Sequence, residues 1–101
     1  MDEENLKLGQ VVRSIAGRDK GNFMVVFRTD EPEFASIADG DLRRIEKGKR
    51  KKIKHLAKTN YVVEDINKKL TKGLKVTNAE IRRGLDRYKK DCLIGEQEVV
   101  K

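Results

Sequence analysis

Between residues 9 and 58 the apolar residues of this chain come in short bursts, and beyond Thr59 they recur every three or four positions. That change of period constrains the fold more than any other feature. Short apolar bursts bounded by turn formers read as strands, whereas recurrence at i, i+4, i+7 puts a stripe along one side of a helix. The bursts are Val11–Ile15, Phe23–Phe27, Phe34–Ala38, Leu42–Ile45 and Ile53–Leu56, which predicts about five strands. Between the third and fourth stands Asp39-Gly40, the pair that a type I′ hairpin prefers because both of its positions need positive φ. Gly17 and Gly21 bracket a loop between the first two strands, and "RTDEPEF", with the single proline Pro32, reads as a polar loop. Short strands in such number protect their edges by curling into a small barrel.

After Thr59, the residues Val62, Val63, Ile66 and Leu70 fall on one helical stripe, with Gly73 as the expected C-terminal stop. Thr77 and Glu80 have capping-box spacing ahead of Ile81, Leu85 and Tyr88, which predicts a second amphipathic helix. Gly84 inside it marks either close packing or a weaker helix. "DCLIGEQEVVK" has no clear period and is expected to fray. The expectation is mainly β with C-terminal α: a β unit at 1–58, a helical extension at 59–91 packed on or beside it, and a flexible tail at 92–101.

A chain of 101 residues supports one small domain, and with 37% hydrophobic against 41% charged residues its apolar supply must be concentrated in a compact core. Cys92 has no partner for an internal disulfide, which fits a reducing compartment. No apolar run approaches the ~20 residues of a membrane span, and "MDEENLKLG" is acidic where a signal peptide is basic and then apolar. A cytoplasmic protein that does not engage membrane is expected. The net charge is +7, but its distribution says more. Residues 1–41 hold five Lys and Arg against nine Asp and Glu, while residues 42–90 hold eighteen against five. A basic half beside an acidic one points to a polyanion approached from one side, with nucleic acid ahead of an anionic membrane surface.

The parts for catalysis are missing. One histidine, one cysteine and no local cluster with carboxylates give little support to a metal site or a nucleophilic triad, and "GRDKGN" lacks the length and ending of a phosphate-cradling P-loop. The expectation is a protein without enzymatic activity, cofactor or metal.

Two segments carry the candidate binding residues. In "KGKRKKIKH", Lys47, Lys49, Arg50, Lys51, Lys52 and Lys54 stand with no acid among them, beside His55. Their mutual repulsion predicts a mobile loop that phosphates would relieve, the alternative being a solvated turn. The second segment is "IAGRDKG", where Arg13, Arg18 and Lys20 surround a loop whose glycines, Gly17 and Gly21, permit close approach of a ligand to the backbone. Its alternative is a glycine-rich hairpin whose charges face water. Arg43 and Arg44 extend a basic surface if their strand lies beside the loop. Phe23, Phe27 and Phe34 are expected in the core rather than as stacking platforms, and the same holds for Tyr61 and Tyr88.

"LGQVVRSIAGRDKGNFMVVFRTDE" resembles the KOW motif, the strand-loop-strand that opens small SH3-like barrels in large-subunit ribosomal proteins and NusG-type elongation factors. "ADGDLRRIEKGKRKKIKHL" is similar to archaeal and eukaryotic ribosomal proteins of this group, and with "TNAEIRRGL" the whole chain resembles small bacterial KOW-domain RNA-binding proteins. The resemblance covers residues 8–57. It implies a five-stranded SH3-like barrel, followed here by two short helices outside the motif. It also implies contact with RNA, ribosomal RNA among the possibilities, through Gly17, Arg18, Lys20, Gly21 and the run from Lys49 to His55. The competing expectation is an adaptor that binds a protein of the translation or transcription machinery through the barrel or the C-terminal helices.

Overall fold

The structure, a computed structural model, describes residues 6–94. Its strands are β1 (Gln10–Ser14), β2 (Phe23–Glu31), β3 (Phe34–Ala38), β4 (Lys49–Lys52) and β5 (Leu56–Val62). They form one antiparallel sheet in the order β4-β3-β2-β1-β5. Helices α1 (Glu64–Thr71) and α2 (Asn78–Tyr88) follow, and α2 runs on into a π-helical turn at Lys89–Ile94. None of the described helices is long and apolar enough to cross a membrane.

The strand register decides which residues meet. Val11 pairs with Val25 and Val25 with Ala38, and these three pack with Val63, Ile66, Ile81 and Leu85 beneath the helices. On the opposite face Val12 pairs with Met24 and Val26 with Ile37, and they cluster with Leu6, Ala35 and Leu56. Consecutive strand residues point to opposite faces, so a strand covered on both sides reads as an unbroken apolar run instead of an alternation. That is why "QVV" and "MVV" carry adjacent valines.

Curvature covers the second face. The register shifts twice along β2–β3, around Arg28, and once along β1–β5, between Gln10 and Val12. Irregularities of this kind bend a strand. In β5 the side chains satisfy what the ladder misses: Thr59 Oγ1 donates to Val11 O at 2.7 Å, and Gln10 Nε2 donates to Thr59 O at 2.7 Å.

The curl stops short of closure. β4 and β5 are the two edges of the sheet, and no ladder joins them. The chain passes between them through a 3₁₀ turn at Ile53–His55 that is held to the β2–β3 turn by Ile53 N donating to Glu33 O at 2.9 Å. The expected SH3-like barrel is therefore corrected to an open five-stranded sheet with two helices on one face, and the KOW identification that implied the barrel is overturned with it. The physical reason is local. β4 has four residues, all cations, and the 3₁₀ turn redirects the chain into β5 before the two edges can pair.

Smaller corrections follow from hydrogen bonding. Among the described residues only glycines have positive φ, so Asp39-Gly40 is not a type I′ turn; Asp39 Oδ1 accepts from Asp41 N at 2.9 Å and Arg43 N at 2.8 Å, building a wider bend. Leu42–Ile45 accordingly lies in that bend and the start of a 3₁₀ turn at Ile45–Lys47, and the fourth strand comes from the basic run, expected to be mobile. Ile53–Leu56 is the second 3₁₀ turn and the first residue of β5, which runs past residue 58 to Val62 and so takes Val62 from the expected helical stripe. Of the tail at 92–101, residues 95–101 lie outside the described residues.

The capping box of α2 is formed: Thr77 Oγ1 accepts from Glu80 N at 3.2 Å, and Glu80 Oε1 accepts from Thr77 N at 2.8 Å. Lys69 donates to the same carboxylate and holds it below the usual carboxylate range. A Cβ on Gly84 would lie 3.0 Å from both Val63 methyl carbons, so this glycine marks close packing of α2 on the β5–α1 junction. At the other end, Asn78 Oδ1 accepts from Ile45 N at 2.8 Å and Arg82 donates to Gly40 O, tying α2 to the bend before β4. Ile81 is fully buried in this junction, so Ile81→Ala is expected to lower unfolding free energy by about 2–5 kcal/mol. Leu42→Ser, at a residue 82% exposed, should change it by less than about 0.5 kcal/mol. Urea titrations of both variants check this.

Candidate functional site

The basic run does not act as one block, because β4 sorts it by strand period. Lys49 pairs with Ile37 and Lys51 with Ala35, which places both on the curled inner face; Arg50 and Lys52 pair with Ser36 and Phe34 on the outer face. Lys51 is 7% exposed, its ammonium donating to Ser14 Oγ at 2.6 Å and Ala16 O at 2.5 Å. Its long stem lets a charged head reach polar groups beyond an apolar surface. Lys49 lies 3.7 Å from Asp19, and Arg43 lies 3.4 Å from the same carboxylate oxygen. Arg50 donates to both Glu31 oxygens, at 2.5 and 3.2 Å, and its guanidinium lies 3.7 Å from the Phe34 ring centroid. That pairing lowers the Glu31 carboxyl from its ordinary value.

The same contacts explain "IAGRDKG". Gly17 and Gly21 have φ of 81° and 90°, the left-handed region that favours glycine, and the loop closes on Gly21 N donating to Ser14 O at 2.7 Å. Asp19 is buried and turned toward Arg43 and Lys49, and Lys51 grips Ala16 from beneath. Ile15 N donates to His55 O at 3.0 Å, so the loop is also fastened to the second 3₁₀ turn. Arg18 and Lys20 remain exposed, as does Arg13 on β1. The loop thus joins the end of β1 to β4 and to the Arg43 bend, with two of its three charges facing outward.

A different set of cations surrounds a space. Where β4 passes into β5, beside the β2–β3 turn, lies a cavity of about 390 Å³. Leu6, Ile53 and Leu56 from the inner core form its apolar part. Exposed Lys52, Lys54 and Lys58 line it as well, and Pro32 and Glu33 of the β2–β3 turn complete the lining. Lys58 pairs with Val12, which puts it on the same inner face as the core below.

Of the residues expected in the site, Lys52 and Lys54 meet at this cavity. Arg18 and Lys20 are exposed on the adjoining loop, Arg44 and Lys47 are exposed around the first 3₁₀ turn, and His55 is half-buried. Lys49, Lys51 and Arg43 are engaged within the fold. Sequence reasoning missed Lys58; counting by twos from buried Leu56 finds it. It also missed Asp19 as an anchor. Among the described residues no three His, Cys, Asp or Glu side chains gather into a group able to hold a metal ion.

Comparison with models of protein families and with curated proteins finds no match for the chain. With no closed barrel, RNA recognition by a basic KOW barrel and the barrel-based adaptor role are corrected as well: the surface that both assumed is an open sheet.

The division of the cations has a measurable consequence. Lys51→Ala removes a buried hydrogen-bonded group and is expected to cost about 1–3 kcal/mol of stability in a urea titration. Replacing exposed Arg18 and Lys20 together by Gln should leave stability within about 0.5 kcal/mol.

Proposed function

We propose that the protein is a non-catalytic, cytoplasmic binder of phosphate polyanions, with an RNA strand as its partner, and that it makes contact at the open side of its sheet. The observation that carries this reading is the gathering of Lys52, Lys54 and Lys58 on one cavity, with Glu33 as the only acid in its lining among the described residues. Three lysines lining one cavity match the repeating charge of a phosphodiester chain, and neutralising phosphates releases counterions. Exposed Arg18 and Lys20, on a loop hydrogen-bonded to the same 3₁₀ turn, extend the positive surface. The excess of cations over residues 42–90 supplies a field that draws a polyanion to this side of the chain. Lysine recognises phosphate as a point charge, so affinity is expected to depend little on sequence.

Salt dependence tests the assignment residue by residue. Changing Lys52, Lys54 and Lys58 together to Gln should make the slope of log K against log salt shallower by about 2–3 units, since each phosphate contact contributes about 0.7–0.9. Changing Lys49 to Gln should leave that slope unchanged while lowering the melting temperature, because its charge is already paired with Asp19. An unchanged slope in the triple variant, with RNA still bound, would move the contact surface away from the cavity.

A further inference from the structure

The cavity is more than a ring of charges. A site that only neutralised phosphate would need no apolar floor, yet Leu6, Ile53 and Leu56 provide one continuous with the inner core. Its 390 Å³ lies near the lower end of the ~300–1,000 Å³ typical of small-ligand sites. That is room for one flat heterocycle and far too little for a stacked duplex. The position follows from the fold: the cavity opens where β4 turns into β5 without pairing, so the inner core is reached from the edge of the sheet.

Its lining has one further polar group. Glu33 is exposed, and its carboxylate has no hydrogen bond or ion pair among the described residues. Its backbone carbonyl holds Ile53 N, so the residue is fixed beside the apolar floor by the same bond that fixes the 3₁₀ turn. An ionised carboxylate accepts hydrogen bonds and cannot donate them. It therefore suits a base that carries an exocyclic amino group, as a carboxylate does when it accepts from cytosine N4.

We infer that this cavity receives one unstacked, amino-bearing nucleobase of a single-stranded RNA, with Ile53 and Leu56 against the base, Glu33 on its amino group, and Lys52, Lys54 and Lys58 on the neighbouring phosphates. The inference rests on the proposed reading of the protein as a polyanion binder and adds what that reading lacks: a preference for single strands and for one class of base. Single-stranded RNA is the form in which bases are free to be splayed out into protein pockets. The platform here is aliphatic, so selectivity comes from burial and from the carboxylate rather than from aromatic stacking.

The test compares three labelled probes of about eight nucleotides, a typical single-strand site size, by fluorescence anisotropy with the full chain. They are an oligocytidylate, an oligouridylate and an abasic phosphodiester chain of equal charge. The oligocytidylate should bind about tenfold more tightly than the abasic chain, the factor that burying some 50–60 Å² of apolar base surface provides. Ile53→Gln should remove that advantage and leave affinity for the abasic chain unchanged, and Glu33→Gln should erase the preference for cytidylate over uridylate. In the unsubstituted protein, the methyl resonances of Ile53 and Leu56 should move with oligocytidylate and stay still with the abasic chain; this measurement stands even if Ile53→Gln does not fold. Equal affinity for oligocytidylate and the abasic chain, with still methyl signals, overturns the base site and leaves phosphate binding in place. Absence of binding by all three probes overturns the proposed function itself.

Discussion

The structure depends on one constraint: the two central strands bury side chains on both faces. Val11 and Val12 on β1, and Met24, Val25 and Val26 on β2, are fully buried, so neither surface of the sheet can be left to water. One face is covered by α1 and α2, whose Ile66, Ile81 and Leu85 pack on Val11, Val25 and Ala38. The other has no separate layer among the described residues and is sheltered by the bend of the sheet, with Leu6, Ile53 and Leu56 drawn inward. Burying one such aliphatic side chain stabilises by about 1.5–3 kcal/mol, and a chain this rich in charge has few of them. Both layers of cover are therefore needed, and the helices are part of the same folded unit as the strands.

Curling the sheet creates a second demand, because its far strand must be held against the near one without a ladder. Lys51 meets it. The side chain leaves β4 on the inner face, and the ammonium ends on Ser14 and Ala16 at the far end of β1. An apolar side chain could fill the same volume, but it could not satisfy the Ala16 carbonyl or fix the loop's position. Asp19 works from the opposite direction, reaching out of the loop to Lys49 and to Arg43. Together they make the β1–β2 loop and the basic strand a single polar clamp over the rim of the inner core.

The first three apolar bursts located β1, β2 and β3 well, because paired valines and phenylalanines bounded by glycine and acidic residues have few other uses. The capping box at Thr77 and Glu80 was equally plain, since its two hydrogen bonds need only local spacing. What could not be read was the second half of the sheet. A run of four cations looks like a loop when judged by its own repulsion, and it becomes β4 because β3 offers a ladder and Asp19, Glu31, Ser14 and Ala16 offer partners that lie far away in sequence. Val62 fitted a helical stripe, yet it pairs with Gln10 in β5, and a period-based reading has no access to that register. The resemblance to a barrel family matched the strand-loop-strand and carried closure along with it, although closure depends on β4–β5 pairing, which no local motif encodes. Among candidate site residues, the exposed ones were visible from charge alone. Which cations are spent inside the fold was not, because strand alternation sorts Lys49 and Lys51 from Arg50 and Lys52 only once β4 exists.

Leaving the sheet open has a cost that the same lysines offset. An unpaired edge invites another strand, and proteins guard such edges with short length and with charge, lysine above all. β4 is both short and wholly cationic, and Lys54 and Lys58 continue the charge through the 3₁₀ turn onto the second edge. Two copies meeting at these edges would set like charges against each other, so the sheet stays open without becoming sticky. On the proposed reading a polyanion would meet the opposite situation: the row that repels a second strand would attract a phosphate chain, and the gap between β4 and β5 would give that chain access to an apolar floor. Edge protection and the proposed binding thus place one demand on these positions. A neutral substitution there removes both at once, whereas Arg at Lys52 or Lys58 keeps the repulsion and alters only the geometry of phosphate contact, and so separates the two roles.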